Sequence, residues 1–284
     1  MKVIGYGDNV VDRYINKNIM FPGGNCINFA VYASKIGIES SYLGMFGDDR
    51  EAKWIMHALE DLGVDYSRCR VEEGSVTERC DVSITDEGNR VFEAFDEREN
   101  LHDIYVLDDD DIEYLKDFDL IHCSCYAEEL SELPKLADMP GLCAFDFSED
   151  DEYRTDEYLN QVCPYMDFTL FSCEGMSLED REALAKKVHG LGVKYVLLTM
   201  GPEGQMFFDG NKFYEGQAKL IEAKDTMGAG DSFFTAFLMS LLKSGWNKTT
   251  PPTEDAINTA FEFAADFAAN NCLVDGAFGY ACEI

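Results

Sequence analysis

The stretch DTMGAGDSF, residues 225–233, sets two glycines and an alanine between two aspartates, directly before an apolar run that continues to Leu242. The run has the composition of a buried helix, so Gly228, Ala229 and Gly230 fall in its first turn. A helix start leaves backbone N–H groups without partners and carries partial positive charge, which attracts anions. Small residues there let a phosphate approach the backbone. By themselves the glycines also fit an ordinary Asp-Thr cap. Asp231, on the same turn, sharpens the reading. A carboxylate beside an anion hole repels the anion, which makes it a poor choice for binding alone and a good one for a base. With a substrate hydroxyl lying between it and a terminal phosphate, the aspartate accepts the proton while the amides around it stabilise the transferring phosphoryl group.

Composition narrows the field. A chain of 284 residues, nearly half of them hydrophobic, supports one main domain with a large core. The net charge of −32 argues against nucleic acid and against an anionic membrane surface, because its field repels both. The ten cysteines are scattered, without a CxxC pair, and most lie in apolar segments. No signal-peptide core follows Met1, so reduced, buried thiols and a cytoplasmic location are expected. The four histidines stand apart, at no metal-ligand spacing.

Strands and helices alternate along the chain. Residues 2–6, 41–46, 120–123, 143–147, 168–171 and 195–199 read as strands; 26–36, 50–62 and 178–191 read as helices. This rhythm predicts right-handed crossovers and a three-layer α/β fold, a mostly parallel sheet covered on both faces. Ligands then sit beyond the carboxyl ends of the strands. Two segments break the rhythm. Residues 10–19 lack a helical period, and 77–95 read as two strands around a turn at 86–89. With their flanks, 10–22 and 75–98, they are expected to form a small β-sheet lid inserted in the single domain; an edge hairpin with no part in binding is the other reading. The acidic residues before Ile112 read as a helix start.

The signature Asp-Thr-x-Gly-Ala-Gly-Asp, complete at residues 225–231, resembles that of the ribokinase-like (PfkB) carbohydrate kinases. That resemblance implies an ATP-dependent kinase in which Asp231 is the catalytic base and the amides around Gly228, Ala229 and Gly230 form the anion hole. Thr199, Gly201 and Gly204, in the sequence TMGPEG, resemble the family's turn beside the nucleotide, to which Thr226, Gly228 and Gly230 also belong. In FPGGNCINFAVY, the residues Gly23, Gly24, Asn25 and Asn28 resemble the element that opens a helix at the sugar. The asparagines are three apart, on one helical face, and offer donors and acceptors together. Their alternative is a glycine-capped core helix with asparagines in solvent. Asp12 matches a sugar-binding aspartate, Asp8 is a second candidate, and Arg90 on the lid hairpin either reaches the ligand or is solvated.

The combination GDNVVDRY, GGNCINFAVY, GDD (47–49), AFDFS (144–148) and DTMGAGDSF is most similar to the fructoselysine 6-kinase branch of that family. This implies phosphorylation of the 6-hydroxyl of a fructosyl amino acid; a plain ketose, a ribose or a nucleoside is the alternative substrate, and a non-catalytic sugar-binding regulator the alternative of another class. Two motifs depart from the family. The Asn-x-x-Glu near magnesium is replaced by residues 171–175, FSCEG, leaving Glu174 as the candidate metal contact. The Asp-x-Asn-x-Arg pattern is replaced by DFSED at 146–150, without its arginine. Mg2+ remains expected, since polyphosphate charge must be neutralised. A monovalent cation such as K+, near Asp225 and residues 274–279, is a further implication of the resemblance. The exposed lid edge suggests a homodimer formed through lid strands.

Overall fold

The structure, a computed structural model, describes residues 1–84, 90–95 and 103–284. Among these, eight strands form the central sheet: β1 (Lys2–Tyr6), β4 (Glu39–Leu43), β9 (Leu120–Ser124), β10 (Leu142–Asp146), β11 (Phe168–Ser172), β12 (Tyr195–Thr199), β13 (Gln205–Phe208) and β14 (Phe213–Gly216). Their order is β14-β13-β12-β11-β10-β9-β1-β4. The strands from β12 to β4 run parallel; β13 and β14 add an antiparallel edge. Parallel strands are covered on both faces, so LCAFD and LIHCS are buried throughout.

One face is covered by α3 (Asp109–Leu115), α4 (Asp156–Val162) and α5 (Leu178–Gly190), which bury Leu115, Leu159 and Ala185. The other carries α1 (Asn25–Lys35), α6 (Ala229–Lys243) and α7 (Glu254–Asn271), joined through Phe29, Phe237 and Phe261. His122 of β9 is sandwiched there, stacked on Phe29 at 4.6 Å and edge-on to Phe234, and burial pushes its imidazole down to about 3.

A second sheet has the order β15-β3-β2-β7-β8, built from β2 (Val10–Tyr14), β3 (Ile19–Gly23), β7 (Glu78–Ile84), β8 (Arg90–Phe95) and β15 (Cys282–Glu283). The two segments that break the sequence rhythm thus pair with each other, β2 parallel to β7. The helix α2 (Arg50–Asp61) packs its buried Ile55 and Leu59 into the core beneath this sheet. Asp49 caps α2 through the amide of Ala52 (2.8 Å) and binds the Thr77 amide and hydroxyl (2.8 and 2.7 Å), fastening helix to sheet. The turn at 86–89 and the side chain of Arg90 lie outside the described residues.

The strand expected at 41–46 is divided. β4 starts at Glu39 and stops at Leu43, and Met45–Phe46 becomes β5, paired with β6 (Arg70–Val71). Gly44 is the cause: a β-carbon there would lie 2.1 Å from the Tyr42 hydroxyl and 2.6 Å from the Gly7 carbonyl, so the chain bends at a close approach. The sequence reading assigns nothing to 205–216 or 254–271, which form the sheet edge and α7. No helix of the described residues is long and apolar enough to cross a membrane. The ten cysteines are free thiols, eight of them buried.

Candidate active site

The carboxyl ends of β1, β9 and β10 meet the N-termini of α1 and α6. At α6 the N-cap is Gly228, with φ +69°. A β-carbon on it would lie 2.3 Å from the Tyr32 hydroxyl. That hydroxyl donates to the Ala277 carbonyl (2.5 Å) and accepts from Asn271 Nδ2 (3.0 Å), so it cannot yield. Gly230 is the opposite case, with nothing within 4 Å of the position its side chain would take. Gly228 is therefore set by packing beneath the turn, whereas Gly230 faces open space. The Ala229 amide donates to the Thr226 carbonyl at 3.2 Å, whereas the amides of Gly228 and Gly230 have no backbone partner among the described residues.

Asp225 holds the loop from below. Its Oδ1 accepts from the Met227 amide (2.9 Å); its Oδ2 accepts from the Gly276 amide (2.8 Å) and from the Tyr14 hydroxyl (2.7 Å) on β2. One buried carboxylate thereby joins the anion loop, the segment after α7 and the second sheet.

Asn28 Nδ2 donates to Asp231 Oδ2 at 2.6 Å, which orients the carboxylate on the first turn of α6. Asn28 is 4% exposed, and its own Oδ1 has no hydrogen-bond partner. One turn earlier on α1, Asn25 Nδ2 lies 3.4 Å from Asp146 Oδ2. Asp146 ends β10, is 3% exposed, and accepts from the Ser148 amide at 2.7 Å. Burial and then the nearby charge of Asp231 hold its carboxyl well above the usual carboxylate range.

A β-carbon at Gly23 would lie 2.6 Å from Asp12 Oδ2, and one at Gly24, where φ is +110°, 2.9 Å from Asp8 Oδ2. They make room for two carboxylates. Asp8 accepts from the amides of Asn25 (2.6 Å) and Cys26 (3.3 Å), capping α1 from outside the helix, and burial raises its carboxyl. Asp12 is buried on β2 beside Gly23.

At the other end of the strand row, Thr199 closes β12 with its hydroxyl 3.4 Å from that of Ser172. Gly201 (φ +53°) and Gly204 (φ +105°) shape the following turn; a β-carbon at Gly204 would lie 2.4 Å from the Gly216 carbonyl. Glu174 is exposed, its Oε2 3.1 Å from the place of a Gly201 side chain. Although residue 150 is not an arginine, Arg154 reaches this place: its guanidinium donates to the Ser172 carbonyl at the end of β11. Among the described residues no group of three His, Cys, Asp or Glu could hold a metal ion.

Asp231, Asn28 and Asn25 lie in one arrangement; Asp146, Tyr14 and Asn271 are not singled out from the sequence, whereas Asp225 is, as the first residue of the signature and the neighbour of a monovalent cation. Asp146 carried a signal, since a carboxylate ending an otherwise apolar parallel strand points to the ligand side of the sheet.

The model of the pfkB family carbohydrate kinases matches residues 1–144 and 167–278. The chain is 35% identical over 287 aligned residues to the fructosamine kinase FrlD of Bacillus subtilis (strain 168), covering 99% of this chain and 94% of that protein. It is 33% identical to the fructoselysine 6-kinase of Shigella flexneri, over 85% and 87% of the two chains. Among solved structures, a fructokinase double mutant from Vibrio cholerae O395, bound to fructose, ADP and potassium, superposes with a TM-score of 0.76 over 98% of this chain and 94% of that one at 19% identity. An Arabidopsis thaliana ribokinase complexed with ribose and ATP gives 0.75, covering 98% and 95%, also at 19% identity. These structures share the fold.

Proposed function

Because this chain belongs to the pfkB family of carbohydrate kinases, we propose that it transfers the γ-phosphoryl group of ATP to the 6-hydroxyl of a fructosyl amine such as fructoselysine. The observation that carries the reading is the 2.6 Å hydrogen bond that fixes Asp231 on the same turn as Gly228 and Gly230, whose amides have no main-chain acceptor among the described residues. Asp231 takes the hydroxyl proton as the oxygen attacks phosphorus, while those amides stabilise the charge on the phosphoryl oxygens. Ala229 serves mainly to close the turn, since its amide already has a carbonyl partner.

Asp12, Asn25 and Asn28 bind the sugar in this reading, with Gly23 and Gly24 leaving space for the carboxylates behind them. Asp8 acts by holding α1 in position. Thr199, Gly201, Gly204 and Thr226 face the nucleotide. Mg2+ would supply charge neutralisation on the polyphosphate, with Glu174, exposed beside the Gly201 turn, as the residue that would contact it. A monovalent cation near Asp225 would take main-chain carbonyls, because that carboxylate already accepts three hydrogen bonds. The second sheet acts as the lid, and its edge strand β8 is the surface for a homodimer, which light scattering checks.

The deciding assay is ADP release from Mg-ATP with fructoselysine, other fructosyl amino acids, fructose, ribose and adenosine. Turnover confined to fructosyl amines supports the reading. Strong turnover of fructose, ribose or adenosine in their place overturns the substrate and keeps the kinase; turnover of none makes the chain a sugar-binding protein.

A further inference from the structure

Asn25 and Asn28 each engage a carboxylate, Asp146 and Asp231, so α1 carries two Asn–Asp couples three residues apart. Their separation along the helix is about 4.5 Å, from the rise per residue. A furanose ring spans a similar distance between its C1 and C6 substituents, which sit on the two carbons flanking the ring oxygen. One couple holds the base for the 6-hydroxyl. The other faces the place where a fructosyl amine carries its nitrogen.

Asp146 is nearly fully buried, and no lysine or arginine pairs with it among the described residues. The groups around it are Asp231 from α6, Asp8 after β1, Cys125 after β9, Asn25 from α1 and the Ser148 amide. None is a cation. Between the couples, the Asn28 Oδ1 is buried without a donor, an acceptor that awaits a ligand N–H or O–H. A buried carboxylate in acidic surroundings stays neutral or waits for a cation from outside.

We propose that Asp146 is the specificity-determining residue that receives the positively charged amine of the substrate, opposite Asp231 at the 6-hydroxyl. This rests on the fructosyl-amine reading above. The amine bound at Asp146 makes a charge-assisted hydrogen bond that the neutral 1-hydroxyl of fructose cannot match. Burial and the neighbouring Asp231 charge raise the Asp146 carboxyl in the free protein, and an arriving ammonium opposes that shift.

Two substrates that differ at one atom test this: 1-deoxy-1-propylamino-fructose and 1-O-propyl-fructose, which carry NH2+ and oxygen at the same place. Wild type is expected to prefer the amine in kcat/KM, and Asp146→Asn to reduce that preference on the order of tenfold to a hundredfold, by a larger loss on the amine than on the ether. Calorimetry is expected to show that wild type binds the amine more tightly than the ether and that Asp146→Asn narrows this gap. An unchanged preference in Asp146→Asn, or an equal loss on both substrates, overturns the role of Asp146. Failure of wild type to phosphorylate either compound overturns the substrate reading on which it rests.

Discussion

Tyr14 on the lid sheet and Asp225 at the foot of the anion loop, 211 residues apart in the chain, share a buried 2.7 Å hydrogen bond. The same carboxylate fixes the amides of Met227 and Gly276, so lid position and loop shape are set at one point. Tyr14→Phe removes the hydroxyl and leaves the ring in its edge-on contact with Phe21. The expected cost is about 1–2 kcal/mol of stability, read from urea midpoints, together with a rise in KM for ATP. In a double-mutant cycle with Asp225→Asn the two losses fall short of additive; full additivity would show that the bond couples nothing.

Asp231→Asn keeps the shape of the side chain and removes the base. Turnover is expected to fall on the order of 10²–10⁴-fold, with sugar affinity by calorimetry nearly unchanged. Near-wild-type turnover would exclude Asp231 as the proton acceptor.

The two glycines of the anion loop separate folding from chemistry. Gly228→Ala forces a β-carbon against the Tyr32 hydroxyl in left-handed backbone, and is expected to cost roughly 1–3 kcal/mol in stability as well as activity. Gly230→Ala meets nothing in the protein. Its thermal midpoint is expected to stay at the wild-type value while kcat/KM for ATP drops, because the methyl group enters the space the phosphate needs. A Gly230→Ala variant with full activity would move the phosphate elsewhere.

His122 gives a pH signature. Its folded value, about 3, lies below the unfolded 6.5, so the folded state binds fewer protons between these limits. The stability it contributes is complete above about pH 6.5 and is lost as pH falls toward 3. His122→Phe fits the stack between Phe29 and Phe234 and removes the titration. The difference between wild type and variant in ΔG of unfolding is expected to grow on the order of a few kcal/mol from pH 7 to pH 4, in favour of the variant. A pH-independent difference would place the imidazole in contact with water.

What the sequence discloses follows the range of the interactions. Residues 225–231 are contiguous, and Asn25 and Asn28 repeat at helical spacing, so both parts of the site are legible from neighbours in the chain. The alternation of strands and helices gives the parallel sheet for the same reason. Asp8 shows the limit: its capping of α1 is invisible in the sequence, because only the fold brings it to the Asn25 amide. Gly44 reads as part of a strand until the Gly7 carbonyl is placed beside it. Asp146 becomes a member of the site only when β10 is set between β9 and β11 and α1 is laid across their ends. Arg154 likewise has no visible link to Ser172 in the sequence.

The bracing of Asp225 also bears on how the molecule opens. Its donors come from residues 14, 227 and 276, three segments that meet only in the finished fold. A fluctuation that frees the loop must break contacts to β2 and to the segment after α7 together, so these regions form one cooperative unit in native-state hydrogen exchange. The amides of Met227 and Gly276 are then expected to share a single opening free energy, so that the loop before α6 cannot loosen without also relaxing the second sheet.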